Sequence, residues 1–363
     1  MVSSRSSKNI VICCDGTGNQ FGDHNSNVIK LFSLLTRNSP EQILYYHPGV
    51  GTKGSMEVPT YIGFLTQQIN KWHGFAYGYG IINNLANAYL FLMENYNPGD
   101  QVYLFGYSRG AFTVRALCSF IYEFGLLEKG NDSLIEYAMS LFINPNSPSE
   151  KIAKNFKSVF GRDCSVHFVG VWETVNSVGW FYDPLKIPSS LENEVIKIGR
   201  QALAIDERRS FFRPNLWGEK STQNLKQVWF AGVHSDVGGS YPYREAGLSN
   251  IALKWILDEA LKAGLLVHEE AVDEFFLENR PDANGVIHKS LKGLWWIPEY
   301  MPQPYTERVE DHFVNKFGTH RGHLRSIPEG SFIHQSVFER IENPVNNYKP
   351  QNLPTKYLVE KNE

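Results

Sequence analysis

The residues best suited to chemistry are a serine, a glutamate and a histidine, met in that order along the chain. Ser108 lies at the centre of Gly106-Tyr107-Ser108-Arg109-Gly110, and Glu173 and His234 each follow an apolar run. A serine hydroxyl is a weak nucleophile that needs a neighbouring base, and a histidine oriented by a carboxylate supplies one. The sequence therefore predicts Ser108 as nucleophile, His234 as base and Glu173 as acid.

The residues around Ser108 are typical of a nucleophile elbow. The apolar run 101–105 predicts a buried strand, and apolar residues at three- and four-residue spacing over 111–122 predict a helix. A Gly-x-Ser-x-Gly motif at such a strand-to-helix turn exposes the serine, while Gly106 and Gly110 leave room for the tight bend. The start of the helix would present the Arg109 N–H to a developing oxyanion.

Further elements are predicted on both sides of the elbow. Strands are expected at 9–14, 42–47, 166–171 and 227–233, and helices at 27–35, 81–96, 192–212 and 248–265. This alternation predicts an α/β fold of the α/β-hydrolase type, with a mainly parallel sheet and helices on both faces. Because ligands bind at the carboxyl edge of such a sheet, the residues that follow the strands are expected to converge there.

The remaining segments are expected to cover this framework. The whole chain, 1–363, is predicted to form a single domain, with cap insertions at about 126–161 and 270–330. The Gly- and aromatic-rich stretch 48–80 is expected to be a functional loop, and the chain after Glu270 to be irregular.

Two positions have rivals. Asp236 is an alternative acid to Glu173, although at two residues from His234 it is equally suited to brace the loop. His334 is an alternative base, because it also comes late in the chain. The charged run 206–209 fits either a helix end or a buried network that supports the site.

The oxyanion needs a second donor besides the Arg109 N–H. In folds of this kind that donor comes from the loop after an early strand, and Gly16 and Thr17 lie in such a loop. Asp15 and Tyr107, which flank these residues and Ser108, are expected to line the site.

Composition excludes several classes of partner. With 363 residues and a formal net charge of −3, the chain lacks the basic footprint expected for binding nucleic acid or an anionic membrane. The sequence shows no apolar segment that would span a bilayer, no signal peptide and no metal or cofactor motif, and the four cysteines do not form a disulfide pattern. A cytoplasmic protein without a cofactor is therefore predicted.

Several motifs together resemble a known family. They are 11–19 (Val-Ile-Cys-Cys-Asp-Gly-Thr-Gly-Asn), 48–52, 106–112, 169–175, 202–209, 229–239 and 333–337. In this order they resemble the uncharacterised α/β-hydrolase domain family of bacteria and fungi that includes type VI secretion phospholipase effectors. The resemblance implies the same roles for Ser108, His234 and position 173. The family usually has Asp at position 173, where this chain has Glu173, and His where it has Gln201.

The predicted function is therefore hydrolysis of carboxylic esters by a serine mechanism. Lipid-like esters, cleaved by a lipase, phospholipase or carboxylesterase, are the expected substrates, because an aromatic content of 13% would suit an apolar cleft. Two alternatives remain: a non-catalytic binding protein on the same fold, and a metal-assisted hydrolase using Asp15, Asp236 and His234. The resemblance also implies secretion by a signal-independent system as an alternative to a cytoplasmic location.

Overall fold

Parallel strands build the centre of the protein. The computed structural model describes residues 7–16, 21–49, 76–143, 150–175, 179–180, 183–184, 193–218, 224–309 and 312–361. In these residues the central strands are β1 (Asn9–Cys14), β2 (Gln42–His47), β3 (Gln101–Tyr107), β6 (Val166–Trp172), β9 (Ile196–Ala204), β10 (Asn224–Phe230), β13 (Ser331–His334) and β14 (Tyr357–Glu360). Their spatial order is β14-β13-β10-β9-β6-β3-β1-β2, and every neighbouring pair is parallel.

Shorter pairs of antiparallel strands lie outside this sheet. They are β4 (Leu126–Leu127) with β5 (Gly161–Arg162), β7 (Gly179–Trp180) with β8 (Asp183–Pro184), and β11 (Gln303–Val309) with β12 (His312–Gly318).

Helices cover both faces of the central sheet. They are α1 (Asn27–Leu34), α2 (Ala76–Asn95), α3 (Arg109–Phe124), α4 (Asp132–Ile143), α5 (Glu150–Phe160), α6 (His234–Gly238), α7 (Gly247–Lys262), α8 (Glu269–Glu278), α9 (Trp296–Tyr300) and α10 (Gln335–Glu342). One apolar cluster packs α2 to α5 on the first face, and another packs α1, α7 and α8 on the second. The predicted α/β-hydrolase-like architecture is confirmed.

Strand β1 shows why the central strands read as unbroken apolar runs. Ile10 and Ile12 belong to the cluster on the first face, whereas Val11 and Cys13 belong to the cluster on the second. Successive side chains of a strand point to opposite faces, so a strand buried on both sides has no solvent-facing position. All four residues are 0% exposed.

The order of the strands creates a crevice at one edge. Strand β1 has β2 on one side and β3 on the other. The connection that leaves β1 and the connection that leaves β3 therefore lead toward opposite ends of the sheet. In parallel α/β sheets such a reversal opens a binding crevice at the carboxyl ends of the strands. Asp15 follows β1 and Ser108 follows β3, and both therefore lie at this crevice.

The predicted helix at 192–212 is wrong. Residues Ile196–Ala204 form strand β9, between β6 and β10, and the short 3-10 helix Ser210–Phe212 follows it. Good helix formers in Gln201-Ala202-Leu203-Ala204 suggested a helix, but the two flanking strands offer backbone partners along the whole segment. Tertiary pairing overrides such a weak local preference.

Other boundaries differ from expectation. Helix α1 is capped by the Ser26 side chain, which accepts from the Ile29 N–H. The strand expected at 227–233 runs from Asn224 to Phe230. The last part of the chain is more regular than predicted, because β13 and β14 extend the central sheet.

The expected insertions are described in part. In the segment 126–161, helices α4 and α5 contribute Phe142 and Phe156 to the cluster on the first face. The predicted loop 48–80 falls largely outside the described residues, and α2 already begins at Ala76. In the described ranges no helix combines the length and the apolarity needed to cross a membrane.

We predict that Gly110→Ala is strongly destabilising. A Cβ at Gly110 would lie 2.0 Å from the Cys14 carbonyl oxygen, and backbone cannot move aside as a flexible side chain does. The expected loss is about 3 kcal/mol in the free energy of unfolding, measured by urea denaturation. Gly22→Ala is the matched control, because no atom of the described residues lies within 4 Å of its added Cβ. Equal midpoints for the two variants would contradict the close packing of α3 against β1.

Candidate active site

The turn between β3 and α3 holds Ser108 in an unusual conformation. Ser108 has φ 56° and ψ −117°, and its side chain is almost buried. Such a backbone costs a non-glycine residue about 1–3 kcal/mol, and it persists only where the surroundings impose it. Here the Ser108 N–H donates to the Trp172 carbonyl oxygen at 3.0 Å, which fixes the turn against β6. The strand–turn–helix geometry predicted for the motif is present.

A histidine and a carboxylate form a buried pair at the same edge of the sheet. His234 begins α6, and its Nδ1 lies 2.9 Å from Glu173 Oε2. Both side chains are almost completely buried. Because an ionised carboxylate only accepts, Nδ1 carries the proton and Nε2 is left as the acceptor.

The carboxylate of Glu173 is held by a second residue, Arg325. Arg325 Nη1 donates to Oε1 at 2.8 Å and Nη2 donates to Oε2 at 2.9 Å. The Ala204 N–H also donates to Oε1, at 2.7 Å. Burial by itself would raise the pKa of Glu173, but the Arg325 charge and the bonds from His234 and Arg325 outweigh it and hold the pKa below its usual range. Glu173 is therefore an ionised carboxylate in fixed position.

Arg325 was not identified from the sequence. It lies in the segment expected to be irregular, 152 residues from Glu173. Its guanidinium also donates to the backbone carbonyls of Ala204, at 2.8 Å, and Phe212. No local motif marks a lone arginine in a loop, so only the folded chain reveals this contact.

Aromatic rings enclose the imidazole of His234. The Tyr107 ring lies 4.9 Å from it and the Phe212 ring lies 4.6 Å from it, between ring centres. Tyr107 Oη lies 3.1 Å from Ser235 Oγ, so the residue before the serine is tied to the residue after the histidine. Burial lowers the pKa of His234, although the bond to Glu173 and its charge act in the opposite direction. The imidazole is thus favoured in its neutral form.

The expected oxyanion donors are only partly described. Arg109 is the first residue of α3, at the end where the helix dipole is positive. The Gly16 N–H donates to Asp15 Oδ1 at 2.6 Å in this conformation. Thr17 lies outside the described residues. Asp15 also accepts from Ser26 Oγ at 2.6 Å, so it fastens the end of β1 to the start of α1.

The rival residues have other partners. Asp236 Oδ1 lies 2.6 Å from His288 Nδ1, and Asp236 Oδ2 accepts from the Val233 N–H at 3.0 Å. This carboxylate braces the turn that begins α6. His334 is completely buried and stacks on Phe230, with ring centres 4.6 Å apart. Among the described residues, the Glu173 carboxylate bonds to the His234 ring, whereas Asp236 pairs with His288 and the His334 ring stacks on Phe230.

Within the charged run 206–209, the buried Glu207 pairs with Arg209 in a network beside the site, whereas Arg208 is exposed, and the run is not a helix end. Glu207 accepts from Arg209 Nε at 3.0 Å and Nη2 at 2.9 Å, from Ser290 Oγ at 2.8 Å, and from the His234 N–H at 3.2 Å. Burial would raise the pKa of Glu207, but the Arg209 bonds and charge lower it to about 2. Glu207 is therefore a fixed anion at the amino end of α6.

In the described part of the chain, no three His, Cys, Asp or Glu side chains are grouped as metal ligands.

These features define a class of protein. A strained serine at a strand-to-helix turn and a buried histidine–carboxylate pair, at the crevice of a parallel sheet, are typical of an α/β-hydrolase-like domain. The profile of the family described as "T6SS, Phospholipase effector Tle1-like, catalytic domain" matches residues 8–259. The chain belongs to this family.

One curated relative matches part of the chain. The uncharacterized protein YEL023C of Saccharomyces cerevisiae is 37% identical over 223 residues, which are 58% of this chain and 33% of that protein. The chain thus spans about a third of the length of this curated relative.

Two solved structures show limited similarity. An uncharacterized protein from Pseudomonas aeruginosa has a TM-score of 0.42 and 18% identity, over 74% of this chain and 48% of the other. A Tle1 effector bound to the VgrG spike of the type 6 secretion system has a TM-score of 0.35 and 20% identity, over 65% and 52% of the two chains.

We predict that removing Arg325 destabilises the fold through Glu173. Arg325→Met leaves a buried carboxylate without its cation, and we expect a loss of about 3 kcal/mol in the free energy of unfolding. Adding Glu173→Gln should recover at least about 1 kcal/mol of it, because the uncompensated charge is removed. Urea denaturation of the two single variants and the double variant measures this coupling.

The control for this cycle is Lys254→Met. Its ion pair with Asp258 on α7 is partly exposed, with side chains 42% and 25% exposed, so its loss should change stability far less than the loss of a buried pair. Strictly additive effects of the Arg325 and Glu173 substitutions would show that the two side chains do not depend on each other.

Proposed function

We propose that this chain is a serine hydrolase that cleaves lipid-like carboxylic esters through an acyl-enzyme. Ser108 is the nucleophile, His234 the general base and Glu173 the acid that orients the imidazole. The observation that carries the proposal is the His234 Nδ1–Glu173 Oε2 bond of 2.9 Å, which leaves Nε2 as the free proton acceptor. The anchored position of Ser108 at the adjoining strand end supports it.

The reaction follows from these roles. Ser108 Oγ attacks the ester carbonyl carbon while its proton passes to His234 Nε2, and the carbonyl oxygen becomes an oxyanion. Glu173 stabilises the imidazolium, and Arg325 keeps Glu173 ionised while the imidazole charge changes. Collapse of the intermediate breaks the ester bond, and the leaving alcohol takes the proton from Nε2. A water molecule then repeats both steps, with His234 as its base, and releases the acid and Ser108.

The oxyanion is stabilised by backbone donors. The Arg109 N–H at the start of α3 is the first, since the positive end of the helix dipole adds to its effect. The second comes from the loop at Gly16 and Thr17. For Gly16 to serve, its N–H must exchange the Asp15 carboxylate for the substrate oxygen, so ligand binding would be accompanied by a local change there.

Family membership supports a proposal for the substrate and for the location. The description of the family as a phospholipase favours a lipid ester over a small soluble ester as the natural substrate. Its description as a secretion effector favours export by a signal-independent system over a cytoplasmic role.

We predict that Ser108→Ala abolishes both ester turnover and labelling by a fluorophosphonate probe. The alanine lacks the hydroxyl that attacks phosphorus or carbon, while its small size leaves the turn intact. His234→Ala should lower labelling by about a thousandfold or more, because the hydroxyl then lacks a base. Gel fluorescence after labelling and circular dichroism of each variant measure the outcome. Labelling of Ser108→Ala equal to that of the parent would refute the assignment.

We predict that activity is lost only at acidic pH. General-base catalysis needs the neutral imidazole, and the pKa of His234 lies below its ordinary value. Protonation, and with it the loss of kcat/KM, is therefore expected at pH values below about 6.5, the pKa of an unperturbed histidine. A pH profile of kcat/KM with a short-chain ester measures the acid limb. A midpoint above the ordinary histidine value would contradict a neutral, buried His234.

A further inference from the structure

An exposed apolar surface lies beside the candidate active site. It is formed by Leu294, Ile297, Tyr300 and Met301, which are 81%, 59%, 61% and 42% exposed. We call these four residues the apolar strip. They lie on the short 3-10 helix Gly293–Trp295 and on α9 and its end, at spacings of three and four residues, so they share one face. Large contiguous apolar surfaces of this kind mark interaction sites.

The apolar strip is held outward by a buried anchor. The Glu299 carboxylate, which is 0% exposed, accepts from the Ser210 N–H at 2.7 Å and from the Gly322 N–H at 3.1 Å. It also pairs with His320 Nδ1 at 2.7 Å, and the Glu299 carbonyl accepts from the Arg321 N–H at 2.9 Å. The exposure of the strip is therefore fixed by buried polar contacts on its opposite side.

The described segments that carry and adjoin the apolar strip contain several exposed cations. The sequence 286–301 contains a single acidic residue, the buried Glu299, whereas Lys289 and Lys292 are exposed. Two further exposed cations come from neighbouring segments: Arg208, which donates to the Gly322 carbonyl at 2.6 Å, and Arg321. In the described residues, neither lysine forms an ion pair. An apolar face bordered by unpaired cations is complementary to a surface with an apolar interior and anionic headgroups.

The segment that carries the apolar strip is linked to the active site through Trp295. Trp295, within the same segment, packs on Phe212 with ring centres 5.7 Å apart, and Phe212 packs on His234 at 4.6 Å. The Arg209 guanidinium lies over both the Phe212 and Trp295 rings, at 3.7 and 4.8 Å. Trp295, next to Leu294 in the chain, is thus linked to the imidazole through Phe212.

We infer that the apolar strip and its four cations dock the protein on a lipid surface that carries negative charge. Leu294 and Ile297 enter the boundary between headgroups and acyl chains, Tyr300 lies at that boundary, and the cations contact the headgroups. The inference deepens the proposed function, since docking brings ester substrate to Ser108. Docking itself needs no catalysis, and the two can be tested apart.

The test is co-sedimentation of the full chain with vesicles. Ser108→Ala is used as the parent so that lipid is not consumed, with vesicles of phosphatidylcholine alone or mixed with phosphatidylglycerol. We expect the parent to bind the anionic vesicles more tightly. Leu294→Asp/Ile297→Asp should lower the partition coefficient by about tenfold or more, since two apolar side chains can no longer enter the lipid. Lys289→Glu/Lys292→Glu should remove the preference for anionic vesicles, and salt should weaken it.

Two controls separate docking from folding and from chemistry. Val345→Asp changes a side chain that is 89% exposed and outside the strip, and it should bind vesicles like the parent. With Ser108 intact, Leu294→Asp/Ile297→Asp should turn over a soluble short-chain ester like the wild type. Failure of the parent to bind either vesicle, binding unchanged in the double aspartate variant, or self-association of the chain through this face would overturn the inference. Loss of soluble-ester turnover in Ser108→Ala tests the chemistry alone.

Discussion

The ion pair between Glu173 and Arg325 is the interaction on which the site depends. A buried carboxylate is stable as an anion only when cations and donors surround it, and Arg325 and the Ala204 N–H supply both. This fixed anion then determines which nitrogen of His234 carries the proton. Arg325 positions Glu173, and Glu173 in turn positions His234. The orientation of the imidazole therefore depends on an arginine that is farther from it in sequence than Glu173 is.

A second buried anion fixes the same histidine from its backbone side. Glu207 accepts the His234 N–H, and Arg209 neutralises Glu207 while stacking on Phe212. The ring and the backbone of His234 are thus each bound to a separate carboxylate with its own arginine. Such duplication keeps the imidazole in place while its charge changes during a reaction, because no neighbouring group has to move.

The sequence predicted much of this arrangement where the signals are local. The central strands that carry the site were recognisable because burial on both faces requires unbroken apolar runs, and Ser108 was recognisable from its flanking glycines. Strand β9 was mistaken for a helix because its pairing partners lie in β6 and β10, outside any local window. Arg325 and Glu299 were missed for the same reason: each acts through contacts with distant segments, and neither has a motif around it.

The position of Arg325 has a consequence for how this domain can be exchanged between proteins. The family profile ends at residue 259, yet the cation for Glu173 and the outer strands β13 and β14 come from beyond it. The residues that the family profile matches, 8–259, therefore make contacts at this site with residues that lie after them in the chain. A gene fusion or duplication cut at that boundary would carry the acid without its counter-charge. Inheritance of this site consequently links the two halves of the chain, and Glu173 and Arg325 are expected to be gained or lost together.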